Sequence, residues 1–100
     1  MGLVYEDIGV GKLYCVSKEN GWNHVILDSN PNDNMATPVE IIEPGDIFMV
    51  LDMDIWEPGD HSSFFEDHMC LQILYGDMIG WIIVLPEDIE PVSININDTL

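Results

Sequence analysis

Basic side chains are almost absent from this chain of 100 residues. It has no arginine, and its two lysines, Lys12 and Lys18, stand against nineteen acidic residues, so the net charge is -17. Glu6 and Asp7 balance the lysines, and every charged residue beyond position 18 is acidic. Such a surface repels phosphate groups and anionic lipids over about 8 Å at physiological salt. The composition therefore argues against direct binding to nucleic acid or membranes and predicts a basic protein partner.

Signals for export and membrane insertion are also missing. The amino terminus has neither the basic region nor the apolar run of a secretory signal peptide, and no apolar run approaches the length of a membrane span. We therefore expect a cytoplasmic location. Two cysteines, Cys15 and Cys70, are predicted to be reduced and buried in that compartment.

Apolar residues, which make up 47% of the chain, are numerous enough to build one packed core despite the charge. Proline and glycine interrupt the sequence at short intervals, and the segments between them are rich in Ile, Val and Leu, which is typical of β-strands. No apolar period of 3.6 residues persists long enough to predict a helix. We predict one all-β domain over residues 1–94, followed by a frayed tail at 95–100. The candidate strands are Lys12–Val16, His24–Asp28, Asp46–Met53, Met69–Tyr75, Gly80–Leu85 and Glu90–Ile94.

Turn residues predict how some of these strands are connected. Asn20-Gly21 favours a hairpin that joins the first two strands, and the segment 76–80 favours a second hairpin between two central, antiparallel strands. The segment 29–38, with three asparagines and two prolines, reads as a loop. Glu-Pro-Gly-Asp occurs at 43–46 and 57–60, and each copy is predicted to form a type II turn.

Two of the strands are apolar on both faces. The segments 46–51 and 81–85 lack the alternation of a half-exposed strand, which predicts burial on both sides. The second face could be covered by another subunit, which would make the protein a homo-oligomer, or by an ordered amino-terminal arm, which we favour. The residues of that arm are Leu3, Val4, Tyr5 and Ile8.

The carboxyl half of the chain resembles an SH3 domain, and it looks most like the bacterial or phage SH3-like barrels. In that family a turn ending in Gly-Asp precedes a long strand, a hairpin follows, Gly-Trp or Gly-Tyr opens the next strand, and a 3₁₀ turn leads into the last strand. The matching segments are Gly45-Asp46, 76–80, Gly80-Trp81 and 86–89, within a resemblance that spans residues 43–92, and Leu13-Tyr14 would lie in the first strand. The resemblance implies a small barrel of five to six short antiparallel strands with one 3₁₀ turn.

The aromatic residues with which this family binds proline-rich peptides are missing. The second tyrosine of the opening motif falls on Val16, Met69-Cys70 stands where a tryptophan pair would be, and Ile89 replaces the aromatic residue of the 3₁₀ turn. A polyproline helix is held between such stacked rings. The resemblance therefore implies the fold without the family's peptide-binding function.

An aromatic and acidic segment between the long strand and the hairpin is the candidate binding site. Trp56, Phe64 and Phe65 would either fold back to cap the barrel or form an apolar anchor for a basic partner. The carboxylates that would surround this anchor are Asp52, Asp54, Glu57, Asp60, Glu66 and Asp67.

Three functions are consistent with these patterns. The first is a non-enzymatic protein–protein interaction module, and the second is a nucleic-acid mimic whose carboxylates occupy the groove of a host DNA-binding or RNA-binding protein. The third is a small metal-dependent enzyme, which His61 and His68 suggest, although their spacing matches no standard motif. The segment 28–33 has oxygen-bearing side chains at alternate positions, as a calcium-binding loop does, but it lacks the glycine and the final glutamate of such a loop. We predict no cofactor, no metal and no catalytic residue.

Overall fold

A computed structural model describes residues 8–19, 22–33, 35–55 and 68–92 of the chain. These residues form seven β-strands and one 3₁₀ turn, so the all-β prediction is confirmed. The strands are β1 (Leu13–Val16), β2 (His24–Leu27), β3 (Pro38–Ile42), β4 (Ile47–Ile55), β5 (Met69–Tyr75), β6 (Met78–Val84) and β7 (Ile89–Pro91), and the 3₁₀ turn is Pro86–Asp88. No helix among them has the length and apolar character needed to cross a bilayer.

The seven strands form one antiparallel sheet in the order β3-β2-β6-β5-β4-β1-β7. The predicted number of five to six strands is therefore too low. β3 is the strand that the sequence did not indicate, because its first residue, Pro38, was assigned to the preceding loop. As an edge strand, β3 tolerates a proline at its start.

One of the two predicted hairpins is confirmed. β5 and β6 are antiparallel neighbours near the middle of the sheet, and Tyr75 pairs with Met78 across the two-residue turn Gly76-Asp77. Gly76 has a φ of 63°, as the first central residue of a type II′ turn requires. The turn is shorter than predicted, because Met78, Ile79 and Gly80 already belong to β6.

The predicted hairpin between the first two strands is wrong. β1 pairs with β4 and β7, whereas β2 pairs with β3 and β6. Both edges of β1 are thus occupied by strands that are distant in sequence, and no edge remains for β2. The Asn-Gly signal at residues 20–21 lies outside the described residues.

The sheet curls around a single core to which both of its edge strands contribute. Ile42 of β3 and Ile89 of β7 are buried in the same cluster as Tyr14, Phe48 and nine other side chains. A contact also joins the two ends of the sheet: Nε2 of His24 on β2 lies 3.6 Å from a carboxylate oxygen of Asp88, in the 3₁₀ turn that precedes β7. β3 and β7 do not pair with each other in the described chain, so the sheet is curled but not closed by hydrogen bonds.

The prediction of strands buried on both faces is wrong. Along β4 and β6 the side chains that face the core are buried, while those on the outer face are exposed or half-exposed. Ile47 and Ile79, both on the outer face, are 52% and 57% exposed. Ile8, the only member of the predicted covering arm that is described, is buried inside the core cluster instead. Leu3, Val4 and Tyr5 lie outside the described residues, as does the predicted tail.

The first Glu-Pro-Gly-Asp copy forms the predicted turn. The Asp46 N–H donates to the Glu43 carbonyl at 3.0 Å, and Gly45 has a φ of 90°. Proline followed by a glycine with positive φ is the type II arrangement. This turn connects β3 to β4. The second copy, at 57–60, lies outside the described residues.

Candidate interaction surface

A β-bulge at Leu51 determines where two of the predicted site residues lie. β4 pairs with β5 through Val50 and Ile73, and the register then shifts so that Asp52 lies opposite Gln72. Phe48 and Val50 face the core, and regular alternation would send Asp52 inward as well. The extra residue reverses the alternation and places Asp52 and Asp54 on the outer face.

Both of these carboxylates accept hydrogen bonds from the chain itself. Asp52 and Asp54 each accept the N–H of the following residue, Met53 and Ile55, at 2.8 Å. The second oxygen of Asp54 also accepts the side-chain amide of Asn30 at 3.1 Å. The Asn30 amide, followed by the Ile55 N–H, holds the pKa of Asp54 below its ordinary value. Asp54 therefore stays ionised at neutral pH.

Hydrogen bonds made by the side chains of segment 28–33, whose sequence resembles a calcium loop, hold the loop that precedes β3 in place. Asp28 accepts the N–H of Thr37 at 2.9 Å and its hydroxyl at 2.8 Å, and this backbone bond is the main cause that lowers the pKa of Asp28. Asn30 accepts the Asn32 N–H at 2.9 Å, and its amide docks the loop on Asp54 of β4. These groups stabilise the loop, and no cluster of three or more His, Cys, Asp or Glu residues in the described chain could hold a metal ion.

Most of the predicted binding site falls outside the described residues. Asp52 and Asp54 are its only described members, and they lie on the outer face of β4. The other members lie outside the described residues and are Trp56, Glu57, Asp60, Phe64, Phe65, Glu66 and Asp67. The metal site that His61 and His68 suggest is likewise not tested, because His61 lies outside the described residues.

The outer face of the sheet carries an apolar row that sequence reasoning missed. Ile79 of β6 pairs with Leu74 of β5, Leu74 pairs with Met49 of β4, and Met49 pairs with Leu13 of β1. We call these four residues the outer row. Ile47 lies beside it on the same face of β4, two positions from Met49. The signal for this surface was the two-faced apolar pattern of β4 and β6, which sequence reasoning attributed to burial.

A carboxylate cluster lies at the end of the β5–β6 hairpin. The hydroxyl of Tyr75 donates to a carboxylate oxygen of Asp46 at 2.8 Å, and the same oxygen accepts the Glu43 N–H at 2.9 Å. The pKa of Tyr75 is raised by this hydrogen bond, then by burial, and then by the charges of Asp46, Glu40 and Glu43. Three carboxylates thus act on one hydroxyl, and we call them the carboxylate cluster. The aliphatic part of the Lys18 side chain packs beside Gly45.

Two described thiols lie on the same outer face. Cys70 is fully buried between Asp54 and Ile83, and Cys15 is half-buried opposite Ile47; neither is in a disulfide. Burial, followed by the charge of Asp54, raises the pKa of Cys70 to about 12. A thiol with such a pKa is almost entirely protonated at neutral pH and is a poor nucleophile. Cys70 is confirmed as buried, whereas Cys15 is more exposed than predicted.

Comparison of the chain with protein-family models, with curated protein sequences and with solved structures found no match.

Proposed function

We propose that this chain is a non-enzymatic, acidic SH3-like module that binds a basic protein in the cytoplasm. The observation that carries the proposal is an apolar row on the outer face, exposed at Ile79 and beside it at Ile47, together with the carboxylates of Asp52 and Asp54 on the same face. Soluble domains seldom leave a contiguous apolar patch open unless a partner covers it. A net charge of -17 selects a partner of opposite sign and speeds its approach.

The order of elements supports the SH3-like assignment. The turn at Gly45-Asp46, the long strand β4, the β5–β6 hairpin and the 3₁₀ turn before β7 follow one another as the resemblance requires. In this reading β1, β4, β5, β6 and β7 form the barrel, and the β2–β3 pair, which lies between β1 and β4 in the chain, extends its sheet. The aromatic residues of a proline-peptide groove are absent, so partner binding is assigned to another surface.

A nucleic-acid mimic remains the alternative, and the acidic composition favours it. A mimic would present carboxylates where a nucleic acid presents phosphates, whereas the outer row presents aliphatic and thioether side chains. The apolar row therefore favours the interaction module.

Affinity capture from an extract of the cells that produce the protein tests the proposal. We expect a basic protein to be retained at low salt, to be released as the salt concentration rises, and to stay bound when duplex DNA is added. Displacement by DNA would support the mimic instead. Retention of no basic protein would refute both readings.

A further inference from the structure

The outer row has the dimensions of a site for one amphipathic segment. It crosses four neighbouring strands that are spaced about 4.8 Å apart, so its ends lie about 14 Å from each other. That distance equals roughly two to three turns of an α-helix, over which apolar side chains recur on one face. Ile47 widens the apolar area beside Met49. Ile47 and Ile79 are each more than half exposed, and the other three members of the row are partly buried.

The surroundings of the row are acidic. Asp77, which is exposed, lies in the hairpin turn two residues before Ile79. Asp46 precedes Ile47, but its carboxylate is turned to the core side of the sheet, where it accepts the hydroxyl of Tyr75. On the opposite side Asp52 lies on the same face of β4 as Met49, and its neighbour across the sheet is the uncharged Gln72. Lys12 precedes Leu13 in the sequence and is the one basic residue adjacent in sequence to a member of the row. A segment that lies on the row would therefore meet Asp77 on one side and Asp52 on the other.

We infer that the outer row is the docking surface for a cationic, apolar-faced segment of a partner protein, with Asp77 on one side of the row and Asp52 on the other pairing with lysine or arginine. This inference rests on the proposed function and specifies the surface and chemistry through which the module acts. Desolvated apolar contacts at the centre supply affinity, while charged groups at the rim supply orientation and association rate.

A second copy of this chain fits the surface less well. The carboxylates of both copies would be brought together, and each copy carries a net charge of -17. Repulsion between like charges across an interface opposes such a contact.

The test uses a synthetic peptide of lysine and leucine whose leucines lie on one helical face, together with a shuffled peptide of the same composition. Calorimetry measures the dissociation constants of both peptides for the full chain and for three variants. Ile47→Thr and Ile79→Thr reduce the apolar area of the surface. Ile41→Thr is the matched control, because Ile41 is 52% exposed on the edge strand β3, away from the row. All three positions are exposed and threonine suits a strand, so unchanged circular dichroism spectra are expected.

We expect the amphipathic peptide to bind more tightly than the shuffled one. Ile47→Thr and Ile79→Thr should each weaken its binding about tenfold, as at a hot-spot position, while Ile41→Thr changes it less than about twofold. Amide chemical-shift changes on peptide addition should centre on Leu13, Met49, Leu74 and Ile79.

The opposing outcomes separate the two proposals. Equal binding of both peptides, unchanged in all three variants, would show attraction by charge alone; it would overturn the docking surface and leave the proposed function standing. Binding of neither peptide at low salt would count against both. A wild-type protein that sediments as a dimer, and becomes monomeric with Ile79→Thr, would overturn the inference in favour of a self-interface.

Discussion

Gly80→Ala tests the packing between β2 and β6, where the curl of the sheet depends on a close approach of two strands. Gly80 is buried in β6, and a Cβ at this position would overlap Cγ2 of Ile26 and lie 2.9 Å from the carbonyl oxygen of Leu27. Ordinary carbon–carbon contacts are about 3.5–4.0 Å, so the Ile26 side chain would have to move away. Ile26 is fully buried, and the Leu27 oxygen belongs to the backbone. Neither group can move away without disturbing β2.

The expected cost follows from two opposing effects. Overpacking of a filled core costs about 1–3 kcal/mol. Replacing glycine also restricts the unfolded chain, which returns about 0.4–1 kcal/mol to the folded state. The net loss in the free energy of unfolding should be about 1–2 kcal/mol. For a domain of this length each kcal/mol shifts the Tm by about 4–8 °C, so the Tm should fall by about 4–16 °C.

Urea unfolding of a double-mutant cycle isolates the clash. Ile26→Leu moves the branch of the side chain one carbon outward, which removes Cγ2 while conserving volume, and should itself cost less than about 1.5 kcal/mol. If the clash with Cγ2 dominates, Gly80→Ala should cost clearly less beside Ile26→Leu than alone, with a coupling of at least about 0.5 kcal/mol. An equal cost in both backgrounds, or no loss from Gly80→Ala, would refute the close approach of these strands.

Two further predictions concern side chains at the ends and on the outer face of the sheet. Tyr75→Phe removes the hydrogen bond to Asp46 and should lower the free energy of unfolding by about 0.5–1.5 kcal/mol. Because the folded-state pKa of Tyr75 is raised, this stabilisation is fully present below the ordinary tyrosine pKa of about 10 and is lost as the pH rises through the folded-state pKa. The absorbance of the phenolate measures this pKa, and ionisation of Tyr75 at the ordinary pKa of tyrosine would contradict the prediction. Iodoacetamide at pH 8 should modify Cys15 well before the fully buried Cys70 in the folded protein, and both at similar rates in urea. Equal rates in the folded protein, measured by peptide mass spectrometry, would show that Cys70 is accessible.

Strand positions were largely predictable because they depend on local chemistry. The run Met69–Tyr75 has the same bounds in the prediction and in the structure, since β-branched and aromatic residues flanked by turn signals favour an extended chain. The place of the hairpin after Tyr75 was predictable for the same reason, because Gly76 supplies a positive φ, although the turn is two residues long and not the predicted five. β3 was missed because Pro38 suggested a loop, and only its place at the sheet edge makes that proline acceptable.

The candidate surface was less predictable than the strands. The two-faced apolar pattern of β4 and β6 indicated that something covers their second face, but among the described residues of that face Ile47 and Ile79 are more than half exposed. Asp52 and Asp54 were selected from the sequence for their charge alone. Their place on the outer face depends on the bulge at Leu51, and the residues around Leu51 include no glycine or proline that would predict a change of register.

The amino-acid sequence by itself determined an acidic, strand-rich chain with one core, because charge, apolar content and turn propensity are properties of residues and their near neighbours. Only the tertiary structure decided that β1 joins β4 and β7, that Ile8 lies inside the core, and that Leu13, Met49, Leu74 and Ile79 share one row on the outer face. Those facts depend on pairing between strands far apart in the chain, and the competition among such pairings is settled by the fit of whole faces around the core.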